Sequence, residues 1–164
     1  MHVRRAGGRR VKAERQAAFV DDYLAYLLAR ASHLISAEFH AVVRRARLPV
    51  LQWRVLAALA EGHALSVGEV ATIVLTPQST LTRVAERMVR AGLLLRAADE
   101  ADRRITRIRL SADGSTLARK LVRQAQAHES AVLALLDAGD AAALKRVLRL
   151  MIEQHKDSAL PDKD

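Results

Sequence analysis

Directly behind Gly92 the apolar residues change period, from that of a helix to that of a strand. The stretch TPQSTLTRVAERMVRAGLLLR reads as a helix. Thr76 caps it, Pro77 takes its first position, and Ala91-Gly92 ends it. Leu81, Val84, Ala85 and Met88 recur at helical spacing and face a core. Leu93, Leu94 and Leu95 then open a short strand, and residues 105–110 form its partner, with a charged loop over 98–103 between them. A two-stranded hairpin directly after a pair of short helices is a wing. Few folds accommodate that order.

Upstream, HALSVGEVATIVL supplies the first helix of the pair. Ser66 is its N-cap, and Glu69, three residues on, completes a capping box. Val67, Val70, Ala71 and Val74 form its buried face. Only a tight connection separates it from the next helix, the layout of a helix-turn-helix. Before it, LPVLQWRVLAALAEG is a helix with Pro49 in its first turn and Gly62 as its stop. The first helix of the chain runs from about 19 to 45. Leu24, Leu28, Ile35, Phe39 and Val42 share one of its faces, with Leu27, Ala31 and Leu34 beside them. Glu38 falls within that apolar sector, so if buried it needs a partner such as an arginine. After the wing, Ser111 caps a fifth helix that runs to about 137. Gly139-Asp140 opens a sixth, along which Leu144, Val147, Leu148, Met151 and Ile152 make an apolar stripe.

These elements predict a mainly α fold with a small β-wing. Residues 1–17 form a disordered basic arm, 18–47 a first, dimerisation helix, and 48–112 a winged helix-turn-helix domain. Residues 113–156 form C-terminal dimerisation helices and 157–164 a tail of turn composition. The helical dimerisation domain thus comes from both ends of the chain.

Composition narrows the partners. Of 164 residues, 51% are hydrophobic but only 3% aromatic, which favours helix over sheet, and the formal net charge is +9. Such a balance suits a polyanion, whose counterions basic side chains displace. There is no cysteine, so no disulfide framework, thiolate metal site or cysteine redox sensor is expected. No apolar run approaches the roughly 20 residues that span a bilayer. No membrane role is expected, and a cytoplasmic location fits. The N-terminal MHVRRAGGRRVKAER is Arg-rich without the apolar segment of a secretory signal, and Gly7 and Gly8 keep it flexible.

In this order and spacing, four stretches resemble the MarR family of winged-helix transcriptional regulators. LPVLQWRVLAAL resembles the family's second helix with its Gln-aromatic pair. STLTRVAERMVRAGLLLR resembles its recognition helix, DEADRRITRIRLS its wing with Asp-x-Arg at the tip, and SADG the turn that starts its fifth helix. Ser111 replaces the usual threonine there, and Val70 stands where a leucine is usual. The resemblance covers nearly everything after the basic arm. The cysteine of the family's peroxide-sensing members is absent.

The expected partner is double-stranded DNA. A recognition helix enters the major groove with its N-terminal residues nearest the bases. Here those are Gln78, Ser79, Thr80, Thr82 and Arg83. Glutamine pairs with adenine, arginine with guanine, and threonine methyls touch thymine. Arg87, a turn on, is expected to reach phosphate, and backbone N–H groups near Ser66 and Val67 to hold another. At the wing, Arg103 or Arg104 is positioned for the minor groove. The resemblance points to Arg104 at the tip, braced by Asp102 through a charge-assisted hydrogen bond. Arg107 and Arg109 alternate along the strand and read as its solvated face.

The resemblance also implies a homodimer built on the first, fifth and sixth helices, reading a pseudo-palindrome, and an effector that is a small aromatic carboxylate. On the first helix Tyr23, Tyr26, Arg30, His33, Ala37 and His40 recur at spacings of three and four. Arg30 suits a carboxylate, His33 or His40 a phenolic oxygen, and Trp53 a wall for the ring; the alternative is that they line a dimer interface. No cofactor or metal is expected. His33 and His40 lie about 10 Å apart along the helix axis, too far to share an ion. The chain is therefore expected to be a ligand-responsive repressor, the alternative being a constitutive or architectural DNA-binding protein. Repression and activation are not separable at this level. No nucleophile–base pair or phosphate-cradling glycine loop points to an enzyme, and the stacking aromatics of a single-strand RNA binder are missing.

Overall fold

The computed structural model describes residues 19–98 and 106–155. Two compact units divide the chain between Ala37 and Glu38. The first contains α1 (Phe19–Asp22) and the start of α2 (Leu24–Arg45). Sequence periodicity predicts one helix here; the structure interrupts it at Tyr23, whose N–H still reaches Phe19 O at 3.0 Å. Phe19 stacks on Tyr23 with ring centroids 4.7 Å apart, and Arg30 lies 3.7 Å from Asp21. The apolar face expected along this helix is buried only at its far end. Phe39 and Val43 are buried, whereas Leu24, Leu27, Leu34 and Ile35 are exposed.

The second unit holds the core. Beyond the end of α2 it comprises α3 (Val50–Ala58), β1 (Leu65–Ser66), α4 (Val67–Ile73), α5 (Gln78–Arg90), β2 (Leu94–Ala98), β3 (Thr106–Leu110), α6 (Ala112–Leu133) and α7 (Ala138–His155). The three strands form one antiparallel sheet in the order β1-β3-β2. Leu94 pairs with Leu110 and Ala98 with Thr106, while β1 sets Leu65 opposite Ile108 and Ser66 opposite Arg107. Leu56, Leu59, Leu81, Met88, Leu94, Ile108 and Leu121 are each almost wholly buried in a single core.

Three helices end alike, in a six-to-one backbone hydrogen bond with a left-handed residue just before its donor. At the end of α5, Leu93 N–H reaches Met88 O at 2.9 Å, and Gly92 has φ +73°. At the end of α2, Leu48 N–H reaches Val43 O at 3.3 Å, with Arg47 at φ +55°. At the end of α4, Thr76 N–H reaches Ala71 O at 3.0 Å, with Leu75 at φ +55°. This last closure corrects the expected start of α5. Thr76 belongs to the turn, so Pro77 is the N-cap, its ψ of 137° still extended, and the helix begins at Gln78. α6 stops at Leu133 rather than near 137, and α7 opens at Ala138.

Start signals elsewhere act as their chemistry requires. Ser66 and Glu69 make the full capping box: Glu69 N–H donates to Ser66 Oγ at 3.1 Å, and Ser66 N–H to Glu69 Oε2 at 2.7 Å. Ser111 Oγ accepts from Gly114 N–H at 2.9 Å and donates to Gly92 O at 2.6 Å. It thereby ties the start of α6 to the end of α5.

Candidate nucleic-acid interface

α5 divides cleanly by face. Leu81, Val84, Ala85 and Met88 are buried, and Gln78, Ser79, Thr80, Thr82, Arg83 and Arg87 are exposed. The spacing of the buried set is three and four, so the exposed residues occupy the opposite side. Thr82 donates its hydroxyl to Gln78 O at 2.9 Å, leaving its methyl and oxygen lone pairs for an outside partner. Gln78 Oε1 lies 3.4 Å from the point where Gly68 would carry a Cβ, so the amide is folded over the first turn of α4.

Ser66 sits at that same turn, with its own N–H already donated to Glu69. Glu69 thus places a carboxylate at the helix start where a phosphate was expected. Arg107 offsets it: its Nη1 lies 3.4 Å from Glu69 Oε2 and donates to Ala64 O at 3.3 Å. Arg107 is therefore a half-buried clamp between β3 and α4 and not a solvated strand residue. Its strand alternation pointed outward, but β1, pairing on that edge, brings Ser66 and Glu69 against it. Arg109 is exposed, as alternation suggests.

A second tie joins the wing to α5, where Arg96 Nη2 on β2 lies 3.8 Å from Glu86 Oε1. Neither Arg96 nor Glu86 carries a motif by which sequence singles it out. The tip residues Asp102, Arg103 and Arg104, and the basic arm, lie outside the described residues.

The effector residues divide between the two units. In the first, Arg30 and His33 line a cleft of about 300 Å³ with Ala29 and Leu34. In the second, His40 is half-buried, and Trp53 packs its ring against Phe39 at 5.2 Å. Trp53 also lines a cleft of about 450 Å³ beside Arg54, Ile73 and Leu75. Glu38 has a histidine partner rather than an arginine, its Oε2 lying 3.1 Å from His128 Nε2. The ring of His128 also stands 5.8 Å from that of Phe39. Among the described residues no group of three His, Asp or Glu side chains is placed to hold a metal ion. No described helix is long and apolar enough to cross a membrane.

A helix-turn-helix backed by a short antiparallel sheet whose last two strands make a hairpin defines the winged helix-turn-helix class. Within that class the chain belongs to the MarR family. The family's sequence profile matches residues 48–105. The crystal structure of a MarR family transcriptional regulator from Silicibacter pomeroyi is 42% identical, with a TM-score of 0.76 over 84% of this chain and 98% of that one. BpsR of Bordetella bronchiseptica, solved in a study of how 6-hydroxynicotinic acid regulates its DNA binding, is 29% identical. Its TM-score is 0.70 over 83% of this chain and 96% of its own. The transcriptional repressor IacR of Pseudomonas putida is 31% identical over 94 residues, 57% of this chain. The chain spans between 56% and 65% of the length of the curated relatives it matches.

Proposed function

We propose that the protein is a homodimeric repressor that holds a pseudo-palindromic operator through α5 and the wing and releases it on binding a small aromatic acid. The observation that carries this is the two-faced α5. Its buried side is locked into the core, while its outward side presents hydroxyls, an amide and three arginines, the donors that read base edges and phosphates. Gln78, Ser79, Thr80, Thr82 and Arg83 are the base-reading set and Arg87 a phosphate contact. Val67 and Gly68 offer backbone N–H groups beside Ser66. Arg104, braced by Asp102, enters the minor groove, with Arg103 beside it.

Dimerisation is supported by α7, none of whose residues is buried within the chain although Leu144, Val147, Leu150 and Ile152 are large and apolar. The effector class is supported by BpsR, whose DNA binding is regulated by 6-hydroxynicotinic acid. Arg30, His33, His40 and Trp53 are the residues proposed for its recognition. A ligand of this kind acts only through a difference in its affinity for the DNA-competent and DNA-incompetent states.

The test is to map protected sites on genomic DNA fragments with and without a panel of aromatic carboxylates. A protected pseudo-palindrome that one carboxylate erases is the expected result. Sequence-indifferent coating unaffected by every compound would instead identify an architectural DNA-binding protein.

A further inference from the structure

We infer that the protein has a separate binding site for an amphipathic carboxylate, between the last turn of α2 and the first half of α6. A cleft of about 360 Å³ opens there, lined by Val42, Arg45, Leu117, Lys120, Leu121 and Gln124. That volume falls in the roughly 300–1,000 Å³ range of small-molecule pockets. It shares no residue with the proposed effector set, and it stands whether or not its occupant affects DNA.

The cleft has the two chemistries such a ligand needs. Leu121 is buried and Val42 and Leu117 half-buried, which makes an apolar floor. Arg45, Lys120 and Gln124 are exposed around it, two cations and an amide donor. Among the described residues neither cation has an ion pair or a hydrogen bond. No acid lies three or four positions from either along its helix: Lys120 has Thr116, Leu117, Arg123 and Gln124, and Arg45 has Ala41, Val42, Leu48 and Pro49.

The negative end of α2 is partly offset in this place. Ala46 N–H reaches Val42 O at 3.2 Å, Leu48 N–H reaches Val43 O at 3.3 Å, and Arg47 N–H reaches Arg44 O at 2.9 Å. The carbonyls of Val42, Val43 and Arg44 thus accept from the chain itself, and Arg44 in the same turn adds charge that offsets the helix dipole. Arg45 remains available to a ligand. One turn along both helices from the cleft, the Glu38–His128 pair joins α2 to α6 at 3.1 Å. A carboxylate held by Arg45 and Lys120, with its apolar body on Leu117 and Leu121, uses both chemistries of the cleft.

The experiment is a methyl and side-chain amide NMR titration of the full chain with benzoate, benzamide and inorganic phosphate as probes. Benzoate is expected to shift the Leu117 and Leu121 methyls and the Gln124 amide saturably. Benzamide and phosphate should bind at least about tenfold more weakly, since each lacks one of the two chemistries. The double variant Arg45→Gln/Lys120→Gln should weaken benzoate about tenfold or more. Arg146→Gln/Arg149→Gln, which removes the same charge from α7, should not. Phosphate binding as well as benzoate, equal weakening by both double variants, or no saturable shift at millimolar benzoate would each overturn the site. Shifts confined to the Ala29 and Leu34 methyls beside Arg30 and His33 would also overturn it, while leaving the proposed effector residues standing.

Discussion

The carbonyl oxygen of Leu93 occupies the space that a β-carbon on Gly114 would need. Gly114 is buried in the first turn of α6, and Leu93 follows the left-handed Gly92 that ends α5. The close approach lets Ser111 N–H donate to Leu93 O at 3.1 Å while Ser111 Oγ donates to Gly92 O. Helix, wing and helix are therefore joined through four residues, Gly92, Leu93, Ser111 and Gly114. Gly114→Ala forces one of these backbones to move and is expected to destabilise by about 3 kcal/mol. Ser111→Ala, which removes a cap without adding volume, should cost only about 1 kcal/mol. Urea unfolding of both variants decides the order; a Gly114→Ala protein as stable as wild type would show that the contact relaxes freely.

Leu75 carries the turn of the helix-turn-helix at φ +55°, with 87% of its surface exposed. A leucine in the left-handed region costs roughly 1–2 kcal/mol relative to helical backbone, and its side chain gains little burial in return. Leu75→Gly removes that strain but enlarges the unfolded ensemble, so the net gain should be up to about 1 kcal/mol. A rise in the urea midpoint at unchanged slope is the expected signature. A fall would mean that the leucine side chain is covered in solution.

What sequence could and could not reveal follows the range of the interactions. The Ser66–Glu69 capping box, the Gly92 stop and the buried face of α5 depend on residues within a turn or two, and all were legible. Gly114 was legible through the Ser-x-x-Gly turn, though not for its reason, since the carbonyl it accommodates lies 21 positions earlier. Leu75 was not, because nothing in its side chain announces a left-handed backbone; the turn's length and the closure of α4 impose it. β1 has two residues, and only its pairing with β3 makes it a strand. That same pairing turned Arg107 from an outward strand residue into a clamp. Glu38 and His128 are 90 positions apart, and only packing of α2 on α6 joins them.

Glu69 holds a negative charge beside the α4 N–H groups proposed for a phosphate. Glu69→Gln keeps the acceptor of the capping box and removes the charge. It is expected to cost less than about 1 kcal/mol of stability, because Arg107 retains its bond to Ala64 O. Affinity for any duplex should rise severalfold at low salt, without a change in sequence preference. Anisotropy titrations on operator and random duplexes test both halves. Weaker binding to both would place no phosphate at this turn.

Arg83 and Arg87 stand one turn apart on the exposed face of α5, yet the proposed roles predict opposite signatures. Arg83→Ala should lower operator affinity by about 1–3 kcal/mol and relax preference at one base pair of each half-site. Arg87→Ala should weaken operator and random DNA alike and reduce the salt slope by roughly 1 per protomer. Exchange of the two signatures would mean that the helix enters the groove rotated by a turn.

Leu144, Val147, Leu150 and Ile152 of α7 are exposed, and charge placed among them discriminates between a dimer seam and a tolerated surface. Leu144 and Val147 lie three positions apart and are both exposed. On a solvated helix, Leu144→Asp/Val147→Asp would change stability by only a few tenths of a kcal/mol and leave the mass unaltered. At a seam, each carboxylate would be buried without a partner at a cost of several kcal/mol per protomer pair. Sedimentation equilibrium is expected to show a dimer for the wild type and a monomer for the double variant. Operator affinity should then fall steeply and depend on protein concentration, because one winged helix grips only one half-site. A dimer of undiminished affinity would remove α7 from the interface.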